Sequence, residues 1–448
     1  MICATALASG FKSTISEKVF DFWGHIHITN YDSNNSLESI PIDAKQSFYP
    51  YLDTVRSIDN NYKISLFGKT IDRERKTKGG IRHIQMFANK GGIIKTKTQL
   101  EGIVLKGVGA DFDWRYMKRF LVAGDTLALK NWTFMPNYLA NKYNSETAAH
   151  DKKQADSINY PSLPRDFLNK KNKIVDEFAA LRPYADTAAS TEIIISESTS
   201  KRLNVGLNDA FTVHFVEGEL QRIRKFRIKG IYKTGLEEYD RKFALVDLRQ
   251  VQELNNWSPN QISGFEISLE NIADLDAYGQ YVYYRQTNSD LFSQTIKELY
   301  PNIFGWLKLQ DVNEQFVLFL MILVSVINMV TAMLILILER TNMIGTLKAL
   351  GSDNWTIQKV FLYYAGLIVG RGLFFGNLIG VGLCLLQQYF GIIRLDEEAY
   401  YVAIAPIQLN SITILLLNLG TLVVTLLVLL VPSLLVARIS PVKAIRFK

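Results

Sequence analysis

Three long apolar runs fill the last third of this chain: Phe316–Leu338, Val360–Phe390 and Ile412–Ala437. Each supplies at least the ~20 residues a helix needs to cross ~30 Å of hydrocarbon. A soluble core helix does not sustain such length with so little charge, so the bilayer is the solvent in which this part must fold. Before residue 311 the chain reads as polar and globular, and its 448 residues leave room for two or three domains. The net charge of +7 is modest for that length and forms no clustered basic face, so membrane lipids are expected as partners and nucleic acid is not.

The loops give an orientation. Arg340, Lys348 and Lys359 lie between the first two runs, and Arg438, Lys443, Arg446 and Lys448 follow the third. Arg394 stands alone against Asp396, Glu397 and Glu398 between the second and third. The positive-inside rule places the two basic regions in the cytoplasm and the acidic loop outside. The first complete span then enters from outside, and the bulk of the preceding sequence forms a large external domain. Such a domain needs something upstream to export it. Met1–Phe11 is apolar but covers only about half a bilayer as a helix, so it is expected to be the outer end of a truncated first span. Ala6-Leu7-Ala8 resembles a signal cleavage site, but a basic leader and a long enough apolar core are missing.

The expected architecture is therefore an α-helical membrane domain, three full spans plus the truncated first, with a large mixed α/β external domain inserted between spans one and two. Residues 1–11 are the residual span and 12–310 the external domain, with 131–190 as an insertion or long loop. Spans cover 316–338, 360–390 and 411–437. Residues 339–359 form a cytoplasmic coupling region, 391–410 an external loop and 438–448 a cytoplasmic tail.

Within the external part, 24–29, 102–108, 191–196, 211–216, 226–232, 243–247 and 265–269 read as strands. Residues 113–121, 197–204, 248–255 and 272–287 read as helices. The alternation predicts a mixed α/β fold in two lobes. Residues 131–190 are polar, carry Pro136, Pro161, Pro164 and Pro183, and show little periodicity before Phe167.

Catalytic chemistry is not apparent. Phe67-Gly-Lys-Thr70 ends like a phosphate loop, but Lys63 stands where the first glycine belongs and no helix is expected after Thr70. His25 and His27 fall on one strand face, where two histidines could bind a metal, yet no third ligand lies near in sequence. Cys3 and Cys384, far apart, are not expected to pair.

The coupling region is more informative. In Glu339–Gly351, the residues Met343, Ile344, Leu347 and Leu350 form one apolar stripe on a short helix. Gly351 suits the left-handed position after its end, and Ser352 or Asp353 can cap the next helix. A short amphipathic helix between two spans either lies on the membrane or docks into a partner's groove, where it would act as a lever. In the second span, Gly372, Gly376 and Gly380 recur every four residues, a spacing that lets helices approach closely. Arg371 sits near mid-bilayer if the helix begins near Val360, where an unpaired ion costs at least ~2.5–3.5 kcal/mol, or at the inner interface if the span is Gly372–Phe390. Asn328 and Asn418 are its candidate polar partners.

These residues resemble a known family. Glu339-Arg340, Ile344-Gly345 and Lys348-Ala-Leu-Gly351 are similar to the coupling segment of the FtsX-like/MacB-like ABC permease family, and Ser440–Arg446 resembles its closing signature. Phe226–Tyr239, with Ser9-Gly-Phe11 and the Glu17–Ile28 stretch, resembles the lipoprotein-releasing (Lol) branch. Asn342-Met343 departs from the family's common Arg-Glu, and Arg371 replaces a usually apolar position. The resemblance implies a non-enzymatic permease subunit of a dimer, homo- or heteromeric, in the bacterial inner membrane with its large domain in the periplasm. A separate cytoplasmic ATPase would bind ATP and Mg and dock on Met343–Gly351, including Lys348, and this chain would bind no cofactor. The implied cargo is a lipoprotein passed to a periplasmic carrier. An FtsX-like regulator of a cell-wall hydrolase and a MacB-like efflux permease are the alternatives.

Overall fold

The computed structural model describes residues 1–33, 39–49, 51–66, 69–95, 100–127, 129, 189–217 and 220–434. The closing Ser440–Arg446 signature and nearly all of the 131–190 segment lie outside them. The chain divides into an α/β unit, Glu17–Pro301, and a helical unit made of Met1–Ser16 and Asn302–Lys448.

The first helix, α1, runs Ile2–Trp23 and contributes to both units. It continues well past Phe11. Ile15, Val19, Phe22 and Trp23 recur with helical spacing and are buried, so an apolar face persists after the polar residues begin.

Strands β1 (Ile26–Asn30), β2 (Ile42–Asp43), β3 (Asp59–Leu66), β4 (Lys69–Lys76), β5 (Ile81–Lys95), β6 (Leu100–Val108) and β7 (Leu121–Gly124) follow, with helix α2 (Trp114–Met117) before the last. Next come β8 (Glu192–Ser196), helix α3 (Glu197–Leu203), β9 (Ala210–Glu217), β10 (Leu220–Tyr232), helix α4 (Glu237–Asp240), β11 (Phe243–Asp247) and helix α5 (Leu248–Leu254). The unit closes with β12 (Gln261–Ile262), β13 (Gly264–Leu269), helix α6 (Leu275–Arg285), β14 (Leu291–Thr295) and helix α7 (Ile296–Leu299).

Pairing is continuous, in the order β14-β1-β13-β5-β6-β11-β8-β10-β7, and β9 joins both β10 and β5 to complete a ten-stranded sheet. The long strands β5 and β10, of 15 and 13 residues, both also reach β9, while β12 with β2 and β3 with β4 form two separate two-stranded sheets. β11 runs parallel to β6 and β10 parallel to β8, while the other ladder pairs of this sheet are antiparallel. Ile26, Ile28, Ile84, Met86, Ile193, Ile194 and Phe265 are fully buried, so both faces of the central strands are covered. Of the 67–70 motif, Lys69 and Thr70 begin β4, paired with Leu66 and Ser65 of β3, so a strand and not a helix follows; Phe67 and Gly68 lie outside the described residues.

The helical unit holds α8 (Pro301–Glu339), α9 (Thr341–Ala349), α10 (Asn354–Phe390), α11 (Glu397–Tyr400) and α12 (Ser411–Ser433). Three of these, α8, α10 and α12, are long and apolar enough to cross a membrane. At 39 residues α8 is ~58 Å long, so its apolar run 316–338 is only part of one continuous helix. Its polar first turns meet α1 through the exposed ion pair Lys12–Asp311, 2.6 Å long. Elsewhere on α1, Gly10 packs directly on the Pro406 carbonyl, where any Cβ would collide, and the Gln408 amide donates to the Ala6 carbonyl at 3.0 Å.

Candidate functional site: the segment joining two spanning helices

Helix α9 is tied at both ends. Its N-terminus continues from α8 through Arg340, and the Ile344 amide donates to the Arg340 carbonyl at 3.0 Å. Its C-terminus is closed by a paired cap: Gly351 N donates to Lys348 O and Ser352 N to Leu347 O, both at 3.0 Å. Gly351 has φ +92°, the left-handed geometry that glycine adopts without a Cβ penalty. Asp353 then caps α10, its carboxylate accepting from the Trp355 amide at 3.1 Å.

The apolar stripe divides. Ile344 is fully buried and packs with Met333, Ile337, Ile357, Phe361, Ala365 and Leu429, with Leu347 partly buried against the same cluster. Met343 and Leu350, seven residues apart on a neighbouring face, are 40% and 81% exposed. Trp355 is 52% exposed and Lys348 half-buried. The inward pair packs α9 on α8, α10 and α12, while Met343 and Leu350 stay exposed and Lys359 Nζ lies 5.4 Å above the exposed Trp355 ring.

The span residues also separate. Arg371 is exposed, and it has no partner among the described residues. Asn418 is committed elsewhere: it exchanges two hydrogen bonds with Asn377, at 3.0 and 3.1 Å, joining α10 to α12. Asn328 lines a groove of about 840 Å³ with Leu320, Ile368, Gly372, Thr421 and Thr425. Of the three glycines, Gly380 faces α1, where an added Cβ would lie 3.5 Å from Ile2, whereas Gly372 and Gly376 have open space.

In the α/β unit the sequence reading missed a buried charged row. Register places His27 beside Glu266 and Glu266 beside Gln85, across β1, β13 and β5. Lys106 reaches in from β6: its Nζ lies 2.6 Å from Glu266 Oε1, donates to the Phe22 carbonyl at 3.1 Å and sits 4.7 Å from the centre of the Trp23 ring. Gln85 donates to the other Glu266 oxygen at 2.9 Å, and His27 Nε2 donates to the Trp23 carbonyl at 2.6 Å. Burial lowers the pKa of His27 and of Lys106, and Glu266 opposes this in both. His25 stacks on Phe20 and is held down to about 3 by burial and the Arg82 charge. The last turn of α1 is thus held through its Phe22 and Trp23 carbonyls by Lys106 and His27, with Lys106 over the Trp23 ring and His25 stacked on Phe20. The signal was a charge at an inward position of two apolar strands.

His83 belongs to a separate cluster. Burial would lower its pKa, but Asp53, 3.4 Å away, with the carbonyl and carboxylate of Asp111, outweighs burial and raises it to about 9. No group of three metal-ligating side chains occurs among the described residues.

Residues 315–441 match the family described as FtsX-like permease C-terminal. Over those residues the helical part is similar to the C-terminal domain of FtsX-like permeases. The resemblance extends to named proteins: the chain is 23% identical over 270 residues to the lipoprotein-releasing system transmembrane protein LolC of Xylella fastidiosa (strain 9a5c), covering 57% of this chain and 65% of LolC. It is 23% identical over 276 residues to the lipoprotein-releasing system transmembrane protein LolE of Haemophilus influenzae, covering 56% of this chain and 64% of LolE. The match thus spans less than two thirds of these curated relatives. A solved structure, the extracellular domain of the noncanonic ABC-type transporter YknZ from Gram-positive bacteria, aligns over 60% of this chain and 99% of its own, with 11% identity and a TM-score of 0.30. That score is too low for the fold comparison to support any argument.

Proposed function

We propose that this chain is a transmembrane subunit of an ABC transporter that releases lipoproteins from the bacterial inner membrane. A cytoplasmic ATPase, binding ATP and Mg, docks on the outward face of α9 through Met343, Lys348, Leu350 and the adjacent Trp355. Ile344 and Leu347 pass that movement into α8 and α10, and Gly351 sets the corner. The chain pairs with a second permease subunit. Its α/β unit lies on the periplasmic side, where a soluble carrier receives the cargo. The observation that carries this reading is the division of the α9 stripe into an inner pair, buried Ile344 and partly buried Leu347, and the exposed apolar residues Met343 and Leu350. The printed names of the LolC and LolE relatives support the choice of cargo.

The experiment is depletion of the chain followed by fractionation of the two membranes. Outer-membrane lipoproteins are expected to accumulate in the inner membrane. Unchanged sorting during complete depletion refutes the assignment of cargo. Co-purification of an ATPase with the native chain, lost in Leu350→Asp, tests the docking face separately.

A further inference from the structure

The two cysteines of this chain come from opposite ends of the sequence and meet within the helical unit. The Cys3 thiol donates to the Gly380 carbonyl at 3.6 Å. Gly380 faces α1 there, and a Cβ on it would be in ordinary contact with Ile2 at 3.5 Å. A helical side chain covers the surface one turn before its own Cα, so Cys384 covers the surface beside Gly380, four residues earlier. The Cys3 sulfur therefore lies against the same helix about one turn from Cys384. Both are free; Cys384 is buried and Cys3 is exposed. The two are unpaired, as in the expectation that they form no disulfide, yet they lie against the same stretch of α10.

We propose that Cys3 and Cys384 form a redox-responsive clamp, in which oxidation to a disulfide fastens α1 to α10. The exposed Cys3 sulfur attacks a disulfide reagent RS–SR and forms a mixed disulfide, releasing one RSH that takes up the Cys3 proton. Cys384 then attacks the Cys3 sulfur, displacing the second RSH, which takes up the Cys384 proton. The two protein thiols lose two electrons and the reagent gains them. The bond joins a helix that runs on into the α/β unit to the helix that follows α9, so the oxidised chain is held in one arrangement of α1 against α10.

The test uses the full chain in native membranes, treated with the membrane-permeant disulfide 4,4′-dithiodipyridine. After denaturation, remaining thiols are counted by maleimide-polyethylene glycol gel shift and by intact mass. Both thiols are expected to disappear together, with loss of two hydrogen atoms, no reagent adduct and full reversal by dithiothreitol. Cys3→Ser is expected to leave Cys384 unable to form any internal bond. Oxidation is also expected to raise the melting temperature of the wild-type chain and to leave that of Cys3→Ser unchanged. A stable adduct on Cys3 with Cys384 still alkylatable, or chain-to-chain dimers on non-reducing gels, overturns the proposal. Cys3 is exposed, so its serine variant provides the control even if Cys384→Ser does not fold.

Discussion

Lys106 and Glu266 form a 2.6 Å ion pair whose side chains are 0% and 1% exposed. Desolvating both ions offsets much of their attraction, so the pair adds little net stability over apolar replacements, yet breaking it is costly. Lys106→Met alone or Glu266→Leu alone is expected to destabilise the chain by ~3–5 kcal/mol. The double variant should recover most of that loss. Thermal denaturation of the detergent-solubilised chain measures this, and a double-variant loss equal to the sum of the two single losses would mean the ions act independently.

His83 gives a pH dependence with a definite sign. Its pKa is raised from 6.5 to about 9, so the folded chain binds this proton more tightly than the unfolded chain. The resulting stabilisation is fully present below pH 6.5 and is lost as pH rises through about 9. His25 acts oppositely: lowered from 6.5 to about 3, it contributes above pH 6.5 and loses that contribution as pH falls toward 3. Melting temperature against pH should therefore decline on the alkaline side of pH 6.5, and His83→Gln should flatten that limb while sparing the acid one.

The split stripe of α9 separates two kinds of variant. Ile344→Ala empties a fully buried position and should cost ~2–5 kcal/mol. Leu350→Ser, at 81% exposure, should leave melting within ~0.5 kcal/mol while weakening any ATPase co-purification. Loss of stability in Leu350→Ser would show that the outer face is already occupied within the chain.

Asn377 and Asn418 satisfy each other between two spanning helices. Replacing either with leucine should weaken the α10–α12 contact by ~0.6–1.7 kcal/mol. The double leucine variant leaves no orphaned amide and should melt closer to wild type. A double variant as weak as the sum of the singles would argue against direct pairing.

Gly10→Val tests a different contact. The Pro406 carbonyl occupies the space a side chain would need, so the 391–410 loop or α1 must shift. A lower melting temperature and faster proteolysis near Pro406 are the expected result, and unchanged cleavage there would contradict the packing.

The local signals were those the sequence could carry alone. Gly351 and Asp353 mark a helix end and a helix start by backbone chemistry that needs no distant partner. β8, β11 and β13 announce themselves as short apolar runs. β5 did not, because Gly91 and Gly92 interrupt a strand held by three neighbours, and strand preference yields to such context. The polar residues Lys12, Ser13, Thr14 and Lys18 hid the continuation of α1 to Trp23. Nor could periodicity decide which of Met343, Ile344, Leu347 and Leu350 turn inward. That depends on Ile337 and Phe361, brought there by two other helices. Lys106 was visible as an odd charge in an apolar strand, but its meaning required Glu266 from a strand paired two ladders away.

Four residues, Leu350 to Asp353, separate α9 from α10, and their polar groups are already engaged: Leu350, Gly351 and Ser352 close the first helix while Asp353 opens the second. Such a corner has no slack. Drawing the two helices apart by even one residue's length must break a cap, which under the proposed function is what would carry a push on α9 into the first turn of α10.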